Sequence, residues 1–125
     1  MRIARNEPRS AVSVISRLTP YALVLSIGIA AAQPLLNGLL PRGADALLHL
    51  YRVVALDEML RGGVLYSRWL PNLAFGYGYP IFQYYPPLPH YVAALLMQTG
   101  LTPIAALLGT FVAASVLGAL GMHLW

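Results

Sequence analysis

The chain contains no cysteine and no lysine, and only 10% of its residues carry a charge. The absence of cysteine excludes a disulfide framework and a thiolate metal site. An ordinary soluble domain has about 25% charged residues, whereas 58% of this chain is hydrophobic. So few polar side chains cannot cover a water-soluble fold, and the composition therefore predicts a membrane protein.

The charges that are present lie in the first part of the chain. From Trp69 to Trp125 the sequence contains no Asp, Glu, Lys or Arg. The eight basic residues are all arginine, in one group before residue 18 and another between residues 42 and 68. Positive charge of this kind is a signal of membrane orientation. It does not form the basic soluble face that nucleic-acid binding requires, so no nucleic-acid partner is expected.

The uncharged segments predict an all-α integral membrane protein with about three transmembrane helices. Residues 18–41 are long enough to cross a bilayer, and Pro34 should kink this helix. Residues 42–86 form a helical, aromatic-rich first outer loop, with an amphipathic helix at about 44–61 that stops at Gly62-Gly63. Gly100 and Pro103 then divide the remaining apolar run into a short transmembrane helix at 87–99 and a third at 101–125.

The arginine distribution also predicts an orientation in the cell membrane. Residues 1–17 form a basic tail, so the N-terminus of this multi-pass protein should be cytoplasmic. The loop 42–86 would then face outward, and the turn at 99–102 would return to the cytoplasm. The four arginines of the loop oppose this orientation. A cleaved signal peptide is the alternative interpretation of the first apolar segment, although its length favours a retained helix.

The helix at about 44–61 carries the polar residues of greatest chemical interest. Asp45, His49 and Arg52 follow each other at helical spacing and share one face. In one interpretation the helix lies among lipid headgroups, with Asp45 favoured by the helix dipole and the three side chains forming ordinary surface pairs. In the other, Asp45 accepts a proton or binds a metal, His49 is its neighbour, and Arg52 binds phosphate.

The segment FGYGYPIFQYYPPLPHY, residues 75–91, combines five tyrosines with four prolines and two glycines. Proline and glycine favour a compact loop, and tyrosine suits a membrane surface because its ring is apolar and its hydroxyl is polar. The loop is therefore either a structural aromatic belt or part of a binding site. In the second case Tyr77, Tyr84 and Tyr85 line the cleft through which a sugar or an isoprenoid passes.

The order of motifs along the chain is more specific than any one of them. The motifs are Gly43-x-Asp45-x-x-x-His49, Gly62-Gly63, Arg68-Trp69-x-Pro71, Gly76-x-Gly78-x-Pro80 and Tyr84-Tyr85-Pro86-Pro87-Leu88. This order resembles the N-terminal part of polytopic membrane glycosyltransferases of the GT-C type. In particular, it resembles the bacterial membrane-protein family labelled 6-pyruvoyl-tetrahydropterin synthase-related, over about residues 18–125.

The resemblance implies a polyprenyl-phosphate-linked sugar as donor, and an acidic residue early in the first outer loop as general base or ligand of a divalent cation. Asp45 is the matching residue. Arg52 and Arg68 could hold the lipid phosphate by their position, with no family role assigned to either. No second acid flanks Asp45, which favours a lone base or a metal ligand set completed from elsewhere.

Three spans are too few for a complete GT-C site, so the enzyme interpretation predicts that this chain acts with the remainder of a longer enzyme or with a partner subunit. The alternative interpretation is a small non-enzymatic membrane scaffold or accessory subunit.

Overall fold

The computed structural model of the protein describes residues 11–43 and 45–125. These residues form four helices: α1 (Ala11–Ala32), α2 (Ala46–Arg61), α3 (Leu88–Gln98) and α4 (Pro103–Leu124). Three short 3-10 turns lie at Gln33–Leu35, Ala74–Gly76 and Ile81–Gln83. Within the described residues the only strand-like pairing is an isolated bridge between Leu70 and Tyr79. The predicted all-α class is confirmed.

The first helix differs in its bounds from the segment predicted at 18–41. It is already helical at Ala11 and ends at Ala32, where the chain turns through Gln33-Pro34-Leu35. Pro34 therefore lies just beyond the helix and does not kink it. Proline lacks the N–H donor of an α-helical hydrogen bond, and the chain changes to a 3-10 turn at Pro34, whereas Pro20 is accommodated inside α1.

Two of the described helices are long and apolar enough to cross a membrane, at Val14–Leu35 and Pro103–Leu124. The third span predicted at 87–99 is not shown. Its helix, α3, has 11 residues and is therefore only about 16 Å long. A hydrocarbon core of about 30 Å needs roughly 20 helical residues, so α3 is too short to cross it.

The helices α1 and α4 run antiparallel. Tyr21, in the first half of α1, packs edge to face against His123 near the end of α4, with ring centroids 4.8 Å apart. Further along α1, Gly28 lies against Val116 and Ala119, which come earlier in α4. The sequence interpretation, with a third crossing between them, expected these two helices to run in the same direction.

The helices α2 and α3 pack on the N-terminal half of α4 and form the core. Val53, Ala93 and Leu107 join the three helices in one apolar cluster. A second cluster packs α2 and α3 against the intervening loop and contains Ala55, Leu56, Leu70, Ile81, Phe82 and Ala94. Buried contact on this scale means that α2 is a core element. It is not a helix lying free at an interface.

The loop between α2 and α3 is held by a hairpin-like bridge. Leu70 and Tyr79 exchange two backbone hydrogen bonds of 3.0 Å each. Gly78, with φ +80°, lies beneath the indole of Trp69, and a Cβ atom there would come within 2.4 Å of the ring. The two motifs Arg68-Trp69-x-Pro71 and Gly76-x-Gly78-x-Pro80 are therefore one packing unit, which brings residues 72–79 back toward α2.

Candidate functional site

Arg52 is the central side chain of the candidate site. It lies on the second turn of α2 and is 6% exposed, yet no carboxylate pairs with it among the described residues. Its guanidinium carbon lies 4.6 Å from the centroid of the Tyr85 ring. A buried arginine normally has an anionic partner, because removing the charge from water is costly. Arg52 is therefore available for an anion that comes from outside these residues.

A cavity of about 610 Å³ opens beside Arg52, between α2 and the hairpin-like loop. Its walls are mostly apolar or aromatic, and Arg52 is the one charged residue among them. The lining residues are Leu48, Tyr51, Arg52, Asn72, Leu73, Ala74, Phe75 and Tyr79. A single cation in an otherwise apolar cavity suits an amphiphile with one anionic group and a hydrocarbon portion.

His49 and His90 meet next to Tyr85, whose ring centroid lies 6.4 Å from that of His49. The Nδ1 atom of His49 lies 3.3 Å from the Nε2 atom of His90, and the tautomers decide which ring donates the hydrogen bond. Both rings line a smaller cavity of about 200 Å³ together with Tyr85, Pro86, Pro89, Leu107 and Phe111. The packing of α2 against α3 thus joins two histidines that are far apart in the sequence.

Both histidines are held neutral at pH 7. Burial lowers the pKa of His90 to about 4, and the charge that His49 carries when protonated and the charge of Arg52 act in the same direction. The backbone carbonyl of Pro86 raises the pKa of His90 and so opposes this shift. The Nδ1 atom of His90 nevertheless makes no hydrogen bond of normal geometry to the described residues. Burial and then Arg52 lower the pKa of His49, while Asp45 raises it. Because both imidazoles are neutral, Arg52 carries the positive charge of this cluster.

Asp45 lies at the N-terminal boundary of α2. Its backbone carbonyl accepts a hydrogen bond from the His49 amide at 2.9 Å, and its exposed side chain does not cap the helix. The carboxylate is close enough to influence His49 electrostatically. Asp45 and Arg52 are two turns apart on the same face, which is about 10 Å along the helix axis. The carboxylate is exposed at the start of α2 and lines neither cavity.

The second polar face of α2 is structural in character. Asp57 is buried, and its Oδ2 atom accepts a 2.7 Å hydrogen bond from Nε of Arg61 one turn later. Glu58 accepts a hydrogen bond from the Asn72 side chain and so ties α2 to the loop. The Asp57–Arg61 pair lies within α2, and the Glu58–Asn72 hydrogen bond joins α2 to the loop, so this polar stripe has structural partners.

The remaining predicted site residues lie away from the cavities. Arg68 is exposed, with its guanidinium carbon 5.8 Å from the centroid of the Tyr66 ring. Tyr77 and Tyr84 are 86% and 76% exposed and line neither cavity, whereas Tyr85 lines the smaller one. A substrate-binding role for Arg68, Tyr77 and Tyr84 remains a prediction.

No group of three or more His, Cys, Asp or Glu residues capable of holding a metal ion occurs in the described part of the chain. Asp45 could therefore serve as one ligand of a divalent cation only if further ligands came from outside these residues.

Sequence reasoning did not select His90 or Tyr51, which the structure places at the two cavities. His90 stands at the start of an apolar helix, where an interfacial position is the ordinary expectation. Tyr51 precedes Arg52 and carries no distinguishing pattern. A polar residue within an uncharged run was the one available signal for His90, and nothing in the sequence pairs it with His49.

Comparison with known proteins gives no family assignment. No protein-family model and no solved structure matches the chain. An uncharacterised protein of Lactococcus lactis subsp. cremoris (strain MG1363) is 30% identical over 76 residues. The match covers 61% of this chain but 12% of that protein, so the similarity extends over a small part of a much longer relative.

Proposed function

We propose that the chain is the N-terminal, membrane-embedded part of a glycosyltransferase that uses a polyprenyl-phosphate-linked sugar as donor. The observation that carries this proposal is Arg52, which is buried, lacks a carboxylate partner among the described residues and lines a mostly apolar cavity of about 610 Å³. A lipid phosphate combines the anion and the hydrocarbon chain for which such a cavity is suited. The much greater length of the Lactococcus relative is consistent with further spans elsewhere in the enzyme.

In the proposed reaction Asp45 acts as general base on the acceptor. A hydroxyl of the acceptor gives its proton to the Asp45 carboxylate as its oxygen forms a bond to the anomeric carbon of the sugar. The bond from that carbon to the phosphate oxygen breaks, and the lipid phosphate leaves with the electron pair. Arg52 meets the negative charge of the leaving phosphate through two parallel N–H donors. The separation of about 10 Å along α2 leaves room for a sugar between the two side chains.

The proposed membrane placement follows from the antiparallel helices. With the arginine-rich N-terminus in the cytoplasm, α1 crosses outward, α2, the loop and α3 lie at the outer side, and α4 returns. Asp45 and Arg52 would then face the compartment in which lipid-linked sugars are consumed. This placement makes the protein multi-pass with two spans in this part of the chain.

The test uses the full protein as its host makes it, in native membranes, and the lipid-linked sugars extracted from those membranes. Loss of lipid-linked sugar is followed by mass spectrometry for the parent protein, Asp45→Asn and Arg52→Gln. We expect Asp45→Asn to slow consumption by about 10²- to 10⁴-fold, as for loss of a general base. Arg52→Gln should slow it roughly tenfold to a hundredfold, because a hydrogen bond to a charged group contributes about 1.5–3 kcal/mol.

Arg42→Gln is the matched control. Arg42 is an exposed arginine in the same connecting segment and lines neither cavity, so its loss should leave consumption unchanged. Equal rates for the parent and Asp45→Asn would overturn the assignment of Asp45. Absence of consumption by the parent would overturn the enzyme proposal in favour of a scaffold or accessory subunit.

A further inference from the structure

The stacked pair of Arg52 and Tyr85 lies between the two cavities. Arg52 lines the larger cavity and Tyr85 lines the smaller one, while the guanidinium carbon lies 4.6 Å above the ring. The pair therefore links the two cavities, because one of its members lines each of them.

No carboxylate or side-chain acceptor among the described residues holds the Arg52 head group. It makes no ion pair and no hydrogen bond to another side chain there, and its guanidinium carbon lies 4.6 Å from the centroid of the Tyr85 ring. A guanidinium stacked on an aromatic face keeps its N–H donors at the edge of the plane, where they are free to bind two oxygens of a phosphate. An unrestrained arginine would have to lose side-chain entropy on binding the same ligand.

Tyr85 is itself restrained by its surroundings. Its backbone amide donates a 2.9 Å hydrogen bond to the Ile81 carbonyl, and Pro86 and Pro87 follow it directly. Its ring makes an edge contact with His49, with centroids 6.4 Å apart. Because proline fixes the backbone after Tyr85, the Tyr-Tyr-Pro-Pro motif sets the position of the ring relative to α2.

We propose that Tyr85 is a positioning residue, whose ring orients the Arg52 guanidinium toward the larger cavity for the phosphate group of an amphiphilic ligand. This inference rests on the proposed function for the ligand class, but it gives Tyr85 a role without substrate contact. It differs from the sequence-based expectation that Tyr85 lines the cleft through which a sugar or an isoprenoid passes.

The experiment measures binding of farnesyl monophosphate to the detergent-solubilised full protein by titration calorimetry, with farnesol and inorganic phosphate as separate ligands. Tyr85→Phe keeps the aromatic face and should retain the parent affinity. Tyr85→Leu removes the face and should weaken farnesyl monophosphate binding about fivefold, the size expected for a cation–π contact. Farnesol affinity should be the same in the parent and in Tyr85→Leu, because farnesol has no charge for Arg52 to meet.

Tyr66→Leu is the matched control, since it removes the ring beside Arg68 in a pair that lines neither cavity. We expect it to bind farnesyl monophosphate like the parent. Parent-like affinity in Tyr85→Leu, or an equal loss of farnesol binding, would overturn the positioning role. If inorganic phosphate bound as tightly as farnesyl monophosphate, the proposal that the ligand is amphiphilic would be overturned. Failure of the Arg52→Gln variant to weaken binding would instead count against the proposed function.

Discussion

At the residue scale, the tertiary structure alters the interpretation of individual polar side chains more than it alters the predicted helices. Arg52 is a buried cation on an apolar cavity, while the chemically identical Arg68 is exposed beside Tyr66. His49 and His90 form a neutral pair, although each alone would be an unremarkable histidine on a helix. Environment therefore decides which of several similar residues can contribute to a binding site.

Acid should weaken the contact between α2 and α3 through His90. Its folded-state pKa of about 4 lies below its ordinary value, so protonation favours the unfolded state. The neutral ring therefore contributes its full stability above about pH 6.5. That contribution is lost as the pH falls from about 6.5 toward 4. Thermal unfolding midpoints of the detergent-solubilised protein should accordingly fall over this interval.

The variant His90→Gln should flatten that pH dependence, because glutamine does not titrate. His123→Gln is the control, since His123 packs on Tyr21 at the far end of α4, away from the histidine pair. A slope in His90→Gln as steep as in the parent would show that other groups cause the acid sensitivity.

At the element scale, short-range patterns predicted where α2 stops, but not where α1 ends or how the loop packs. Gly62 and Gly63 end α2, and Thr102 caps α4 by accepting a hydrogen bond from the Ala105 amide. The contact of Trp69 with Gly78 could not be read from the sequence, because it depends on the bridge between Leu70 and Tyr79. Residues nine apart in a loop have no fixed spatial relation until such a bridge forms.

This packing predicts unequal effects of two glycine substitutions in the loop. Gly78→Ala should destabilise the protein, because it combines a φ of +80° with a Cβ atom 2.4 Å from Trp69. Gly76→Ala shares the positive φ, at +88°, but nothing lies within 4 Å of its added Cβ. We expect Gly76→Ala to cost about 1 kcal/mol from backbone strain and Gly78→Ala to cost about 2–4 kcal/mol from strain and clash together.

The measurement is the unfolding midpoint of each variant in detergent, with Trp fluorescence as a local probe beside Gly78. Equal destabilisation in the two variants would contradict the contact between Gly78 and Trp69.

At the scale of the whole molecule, the antiparallel pairing of α1 and α4 determines the topology. Tyr21 opposes His123 and Gly28 opposes Val116, so the chain reverses direction between these helices without needing a third crossing. The short α3 instead packs with α2 on the N-terminal half of α4. The candidate site consequently lies where three helices and the loop converge.

This topology predicts that both ends of α3 lie on the same side of the membrane. The 125-residue sequence contains no cysteine, so Leu88→Cys and Thr99→Cys each introduce one defined thiol at an exposed position. In intact cells a membrane-impermeant maleimide should label both variants equally. Arg9→Cys, in the basic tail before the first apolar helix, should be protected until the cells are permeabilised, because the N-terminal side is expected to be cytoplasmic. If Thr99→Cys were protected while Leu88→Cys was labelled, the result would contradict this topology and support the predicted third span at 87–99.

The sequence by itself determined the all-α class, the long apolar helices and the stop of α2 at Gly62-Gly63, because helix formation and chain reversal follow from residues within a few positions of one another. It also selected Asp45, His49 and Arg52 as neighbours on one helical face. Only the tertiary structure decided that Arg52 stacks on Tyr85, that His49 meets His90, and that α1 opposes α4. These contacts join distant parts of the chain, and their distances are set by helix packing rather than by any local periodicity.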